Sequence, residues 1–243
     1  MTDQTPTNVP TRWAAAVAAG RAAGAVPRDA GEEYAHAMTR RRLAAKAAGH
    51  HPDGEARFVH DLVGPAARVL DAGCGTGRVA IALAELGHPV VGVDADLAMV
   101  RVAADQAPRI PFWLSDLADL DVPQAVVGGG FDAVVMAGNV VPYLAEGTVD
   151  AVASQLALVL RPGGLLIAGF GIHPEQLPAG LPVTPLAEYD AACRDAGLEP
   201  VGRSGSWDGE EWRPDSPYVV AVHRRPERSA KATRRGLRGF WGR

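Results

Sequence analysis

The chain has 243 residues but only two cysteines, Cys74 and Cys193, far apart and in no CxxC or Cys/His arrangement. That excludes a disulfide framework and a Cys-based zinc site; no metal site is read, and a reducing, cytoplasmic setting is the expectation. Long apolar runs are also missing: none approaches the roughly 18 residues of a spanning helix, so no membrane partner is expected. The alanine-rich "RWAAAVAAGRAAGAV" (12–26) follows Asp3 and is split by Arg21, so it reads as a helix and not as a leader. Nor is there an excess of base, since the formal net charge is −4. The charge is uneven: residues 224–243 hold eight basic residues and one acid, leaving 16 basic and 27 acidic residues in 1–223. An acidic body is a poor nucleic-acid surface. The tail reads as a solvated, disordered terminus and is the only hint of an anionic partner.

What the chain does have is alternation. Residues 1–10 are polar with two prolines and read as a disordered start, and 11–63 read as a helical cap broken at "GAVP" (24–27) and "GHHPDG" (49–54). From 64 to 223, which reads as one domain, short β-rich runs alternate with amphipathic stretches. "ARVLDA", "PVVGVD", "IPFWL", "FDAVVMAG" and "GGLLIAGF" are strand-like, with two more strands near 198–206 and 217–223. Between them, "RVAIALAEL" places Val79, Ala82, Leu83 and Leu86 on one helical face. Asp96 is positioned to cap the next helix, and Gly197 to stop the last one. Buried strands separated by helices argue a doubly wound α/β fold with a mostly parallel sheet. Such sheets bind ligands at the carboxyl ends of their strands, near the point where strand order reverses.

That rule draws attention to "VLDAGCGTGRVA" (69–80), which follows a strand with Gly73, Gly75 and Gly77. A backbone this bare turns sharply and lets a ligand approach without meeting a Cβ. A dinucleotide fingerprint needs a small residue where Arg78 stands, and no Gly-Lys-Ser/Thr follows to make a Walker loop. Asp71 beside the loop repels a pyrophosphate but welcomes an ammonium. Asp94 ends the next strand, suited to the two hydroxyls of a ribose, in NAD as well as in other nucleosides. Asp116 follows the third strand, suited to an adenine amino group, with Leu117 offering an N–H and an apolar side chain. Three acids after three strands, with no phosphate-binding base, suit a nucleoside bearing an amino acid, as in S-adenosylmethionine (SAM).

On these residues the sequence resembles the class I SAM-dependent methyltransferases. "VLDAGCGTGRVA" looks like their glycine motif, "VVGVDAD" like their ribose-binding strand and "SDL" like their adenine acid. "FDAVVMAGNVVPYL" and "LRPGGLLIAGF" look like the two motifs that follow. The resemblance covers 67 to about 223 and is nearest the small-molecule, ubiquinone/menaquinone-methyltransferase type. It implies a Rossmann-like, seven-stranded sheet with the last strand antiparallel. It also implies SAM contacts at Asp71, Gly73, Gly75, Gly77, Asp94, Asp116 and Leu117, with Cys74 and Ala95 beside them. Asn139 is not followed by paired prolines, which disfavours transfer to a base amine; it is expected to hold the methionine portion of SAM or the substrate.

Methyl transfer to a small-molecule acceptor by in-line displacement needs a base only if the acceptor must lose a proton. His173, just beyond the fifth strand, is the candidate, with Asn139 as a second catalytic candidate; His88 and His223 belong at the far edge. Tyr34, His51, Glu55, Tyr143, Trp207 and Asp208 are candidates for the acceptor pocket, and Trp212 for its wall. The alternatives are a nucleic-acid methyltransferase, a SAM-binding protein without catalysis and, less favoured by Asp71 and Arg78, an NAD-dependent oxidoreductase. The acceptor atom and the oligomeric state are not legible.

Overall fold

In the computed structural model, residues 10–22, 36, 37, 40, 53–178 and 180–227 are described. Residues 1–9 of the expected disordered start (1–10) and 228–243 of the basic tail therefore lie outside the described residues, as do Tyr34 and His51. Among the described residues, α1 (Arg12–Ala22) and α2 (Gly54–Val63) precede the alternating unit. That unit runs β1 (Val69–Ala72), α3 (Arg78–Glu85), β2 (Val90–Asp94), α4 (Leu97–Gln106), β3 (Phe112–Leu114), α5 (Gln124–Val127) and β4 (Phe131–Met136). It continues through α6 (Val140–Tyr143), α7 (Val149–Val159), β5 (Leu160–Gly171), α8 (Leu186–Asp195), β6 (Glu199–Ser204) and β7 (Tyr218–Arg224). No helix among the described residues is long and apolar enough to cross a membrane.

The strands form one seven-stranded sheet in the order β3-β2-β1-β4-β5-β7-β6, parallel except for β7, which is antiparallel to both β5 and β6. Strand order reverses between β1 and β4, so the loops after these two strands flank the topological switch point. β1 and β4 are almost wholly buried because helices cover both faces. One face packs Leu70, Val134, Leu156, Leu166 and Tyr189 beneath α7 and α8. The other packs Val69, Val135, Ile167 and Leu83 with Ala56 and Val59 of α2.

Three expectations change. Val79, Ala82 and Leu83 of α3 are buried, but Leu86 lies beyond the helix end and is 38% exposed. α2, read as part of a separate cap, is in the domain's own core: Ala56 and Val59 are 1% and 0% exposed, and His60 Nδ1 lies 2.9 Å from Nε2 of the buried His88. The domain also runs past 223. Arg224 closes β7, and Arg225 donates to the carbonyls of Ala157, Leu158 and Leu160, satisfying the open end of α7.

Candidate functional site

Asp71 sits in β1, 2% exposed, with Oδ2 accepting from the Ala80 N–H of α3 at 2.9 Å. Burial, aided by the nearby Asp94 and Glu55 carboxylates, pushes its carboxyl up to about 7 against the opposing Ala80 N–H and Arg78. The chain then turns through Gly73, whose N–H, like that of Cys74, donates to the Val93 carbonyl of β2. Gly73 has φ +76°, and a Cβ there would lie 2.6 Å from a methyl of Val140, so the turn and α6 touch because this residue has no side chain. Gly75, at φ +53°, faces open space. The Cys74 thiol is buried and pushed well above its ordinary value by that burial, which makes it a poor nucleophile.

Asp94, at the end of β2, braces the turn. Its Oδ2 accepts from Gly75 N at 2.7 Å and its Oδ1 from Asp96 N at 2.9 Å. Burial raises its pKa too. Each carboxylate oxygen keeps a further lone pair, the acceptor capacity that two ribose hydroxyls require. Asp116 caps the short 3-10 turn Leu117–Asp119 through Ala118 N at 2.8 Å.

These residues line one cavity of about 250 Å³, together with Cys74, Ala95, Leu117 and Arg78. Two of its walls were not foreseen. Trp13 of α1 donates from Nε1 to Asp96 Oδ2 at 2.7 Å and meets the Tyr143 ring edge-on at 5.5 Å. Tyr143, expected at the acceptor, instead lines this same cavity. The only cation lining it among the described residues is Arg78, whose guanidinium is held bidentately by Glu55 of α2. Such a lining does not suit a pyrophosphate. It fits an adenosine carrying an ammonium: a buried carboxylate at the turn, a braced carboxylate at the end of β2, and an acid with an apolar neighbour after β3.

The Glu55–Arg78 pair is also a partition. Glu55 lines a second cavity of about 490 Å³, built from the start of α2, Gln176 after β5, and the β6–β7 loop with Trp207, Asp208, Glu210 and Tyr218. Trp207 is clamped there. Its Nε1 donates to Tyr218 Oη at 3.0 Å, Phe58 meets it edge-on at 5.5 Å, and its indole lies over Gly169 of β5. Trp212, expected to share this wall, is carried to the other face of the sheet, under the Arg203 guanidinium at 5.0 Å.

Two catalytic candidates are placed differently from the expectation. Asn139, in left-handed backbone at φ +65°, has both ends of its amide engaged: Oδ1 accepts from Gly171 N at 2.8 Å and Nδ2 donates to the Gln176 carbonyl at 3.1 Å. It lines neither cavity; it ties the end of β4 to the segment after β5. His173 is 42% exposed, with Nδ1 3.5 Å from Glu175, and also lines neither cavity.

A family model described as a methyltransferase domain matches residues 69–164. The ubiquinone biosynthesis O-methyltransferase of Cereibacter sphaeroides is 32% identical over 178 residues, 62% of this chain and 69% of that protein. The chain belongs to the class I SAM-dependent methyltransferases. The chain is also 38% identical to the glycine N-methyltransferase of Rattus norvegicus over 116 residues, 41% of its length, but spans only 39% of that relative's length. The crystal structure of a TehB-like SAM-dependent methyltransferase from Corynebacterium glutamicum superposes with TM-score 0.68 at 28% identity, covering 81% of this chain and 99% of the other. SAM is the family's cofactor, and the first cavity has carboxylates to hold it.

Proposed function

We propose that the chain transfers a methyl group from SAM to a small-molecule acceptor in the cytoplasm. The observation that carries this reading is the first cavity, where Asp71, Asp94 and Asp116 converge and the one base lining it among the described residues, Arg78, is held by Glu55. When bound, SAM supplies a methyl group on a sulfonium, open to in-line displacement by a lone pair. Asp71 takes the ammonium of the methionine portion, Asp94 the ribose hydroxyls, and Asp116 with Leu117 the adenine edge. Gly73 and Gly75 let the backbone approach where a side chain would intrude. Trp13 and Tyr143 close the outer wall and exclude water, and much of the rate gain in an alignment-driven transfer comes from such positioning, roughly 7–11 kcal/mol in favourable cases.

The second cavity, one ion pair away, receives the acceptor against Glu55, Trp207 and Asp208. Where the acceptor must lose a proton, His173 is the candidate to take it on to solvent: its backbone carbonyl accepts from the N–H of Gln176, which lines that cavity, and its ring is half-exposed. Of the expected cap, Thr11 and Trp13 border the first cavity, and Gly54 and Glu55 the second.

Calorimetric titration with SAM, S-adenosylhomocysteine and NADH tests the reading. Dissociation constants on the order of micromolar for the first two, and no heat from NADH, are expected. No binding of either sulfur compound overturns it.

A further inference from the structure

The second cavity carries information about what is methylated. Its lining holds the carboxylates of Glu55, Asp208, Glu210 and Glu211 and, among the described residues, no lysine or arginine. Glu55 is neutralised by Arg78 and Glu211 lies 3.1 Å from Arg213, while Asp208 and Glu210 have no basic partner in the lining. The same lining has a fixed aromatic wall, Trp207 bonded to Tyr218 and seated on Gly169.

Methyl transfer moves a positive charge out of the cofactor. With an amine acceptor, the nitrogen lone pair forms the N–C bond and the S–C electron pair returns to sulfur as a neutral thioether. The charge reappears on the acceptor as an ammonium. The proton that the free ammonium gives up beforehand goes to a cavity carboxylate or to solvent. Acids around the acceptor stabilise charge developing there. With a phenolate or carboxylate acceptor the nucleophile is an anion, and the same acids oppose both its entry and its approach. The sign of the lining therefore separates the acceptor classes.

We propose that the second cavity receives a small amine with an apolar body, its nitrogen towards Asp208 and Glu210 and its body against Trp207, which makes the chain an N-methyltransferase. This rests on the methyltransferase reading above.

The test compares three probes of similar size, phenethylamine, 4-ethylphenol and 3-phenylpropionate, on the full chain saturated with S-adenosylhomocysteine. Binding is read by calorimetry and by quenching of tryptophan fluorescence, with SAM affinity measured in parallel. Phenethylamine binding about tenfold tighter than the other two is expected. The Asp208→Asn/Glu210→Gln double variant, changed only at exposed loop positions, should lose that preference and keep its SAM affinity. With SAM in place of its product, phenethylamine should gain 14 mass units, one methyl replacing one hydrogen, as read by mass spectrometry. SAM binding with no advantage for the amine over the phenol, including no detectable binding by either, overturns the amine assignment and leaves the methyltransferase reading intact. Failure to bind SAM or S-adenosylhomocysteine removes the underlying reading and the proposal with it.

Discussion

The indole of Trp13 and the carboxylate of Asp96, 83 positions apart in the chain, are joined by a 2.7 Å hydrogen bond across the mouth of the first cavity. Asp96 also caps α4 through its other oxygen, so α1 is moored to a helix terminus that is itself fixed. The opposite side of the mooring is the edge-on contact with Tyr143 and the Arg12 bond to the Pro142 carbonyl at 3.3 Å. The exposed α1 contributes little else to the core.

Trp13→Ala should therefore weaken SAM binding about tenfold or more while moving the melting temperature little. Trp13→Phe, which keeps a ring but loses the N–H donor, should fall between, since one hydrogen bond to a charged acceptor is worth roughly 1.5–3 kcal/mol. Calorimetry beside a thermal melt checks both, and a large fall in melting temperature would count α1 as part of the core.

Asp71 makes a prediction about pH. Its carboxyl titrates near 7 in the folded chain against 3.8 for the free side chain. Between those values the folded chain holds a proton that the unfolded chain has lost, so this residue's contribution to stability falls as pH rises from 3.8 towards 7. Asp71→Asn should remove that slope, leaving the variant relatively more stable above pH 7 than the wild type in urea titrations. Because an ammonium ligand favours the carboxylate, SAM binding below pH 7 should release about one proton. Repeating the calorimetry in buffers of different ionisation enthalpy measures that release directly.

Gly169 controls the second cavity from inside the sheet. A Cβ there would lie 2.3 Å from the Trp207 ring, so Gly169→Ala should displace the indole from Tyr218 and Phe58. The expected cost is about 1–3 kcal/mol of stability, as for other overpacked sites. Acceptor binding should fall while SAM affinity holds. An unchanged tryptophan emission spectrum would show that Trp207 is not clamped in solution.

The parts of this architecture written locally in the sequence were legible there. The apolar runs beside Asp71, Asp94 and Asp116 announce their strands, and the glycines at 73, 75 and 77 announce the turn. What escaped depends on where loops go. Nothing around Trp13 says that its helix crosses to Asp96, and Asn139 gives no local sign that Gly171 and Gln176 take both ends of its amide. Arg78 was informative only as an obstacle to a dinucleotide; its partner, Glu55, comes from a helix that the sequence reading had assigned to the cap. Trp207 and Trp212, five residues apart, look interchangeable until the loop sends one to each face.

The antiparallel seating of β7 between β5 and β6 means that the loop between Ser204 and Tyr218 leaves and re-enters the sheet at the same edge. That loop carries Trp207, Asp208 and Glu210, whereas Asp71, Asp94 and Asp116, which line the first cavity, belong to β1, β2 and the turn after β3 on the other half of the sheet. Lengthening, shortening or grafting this one connection would reshape the second cavity and leave strand order and the lining of the first unchanged. A designer therefore has a single cassette to exchange.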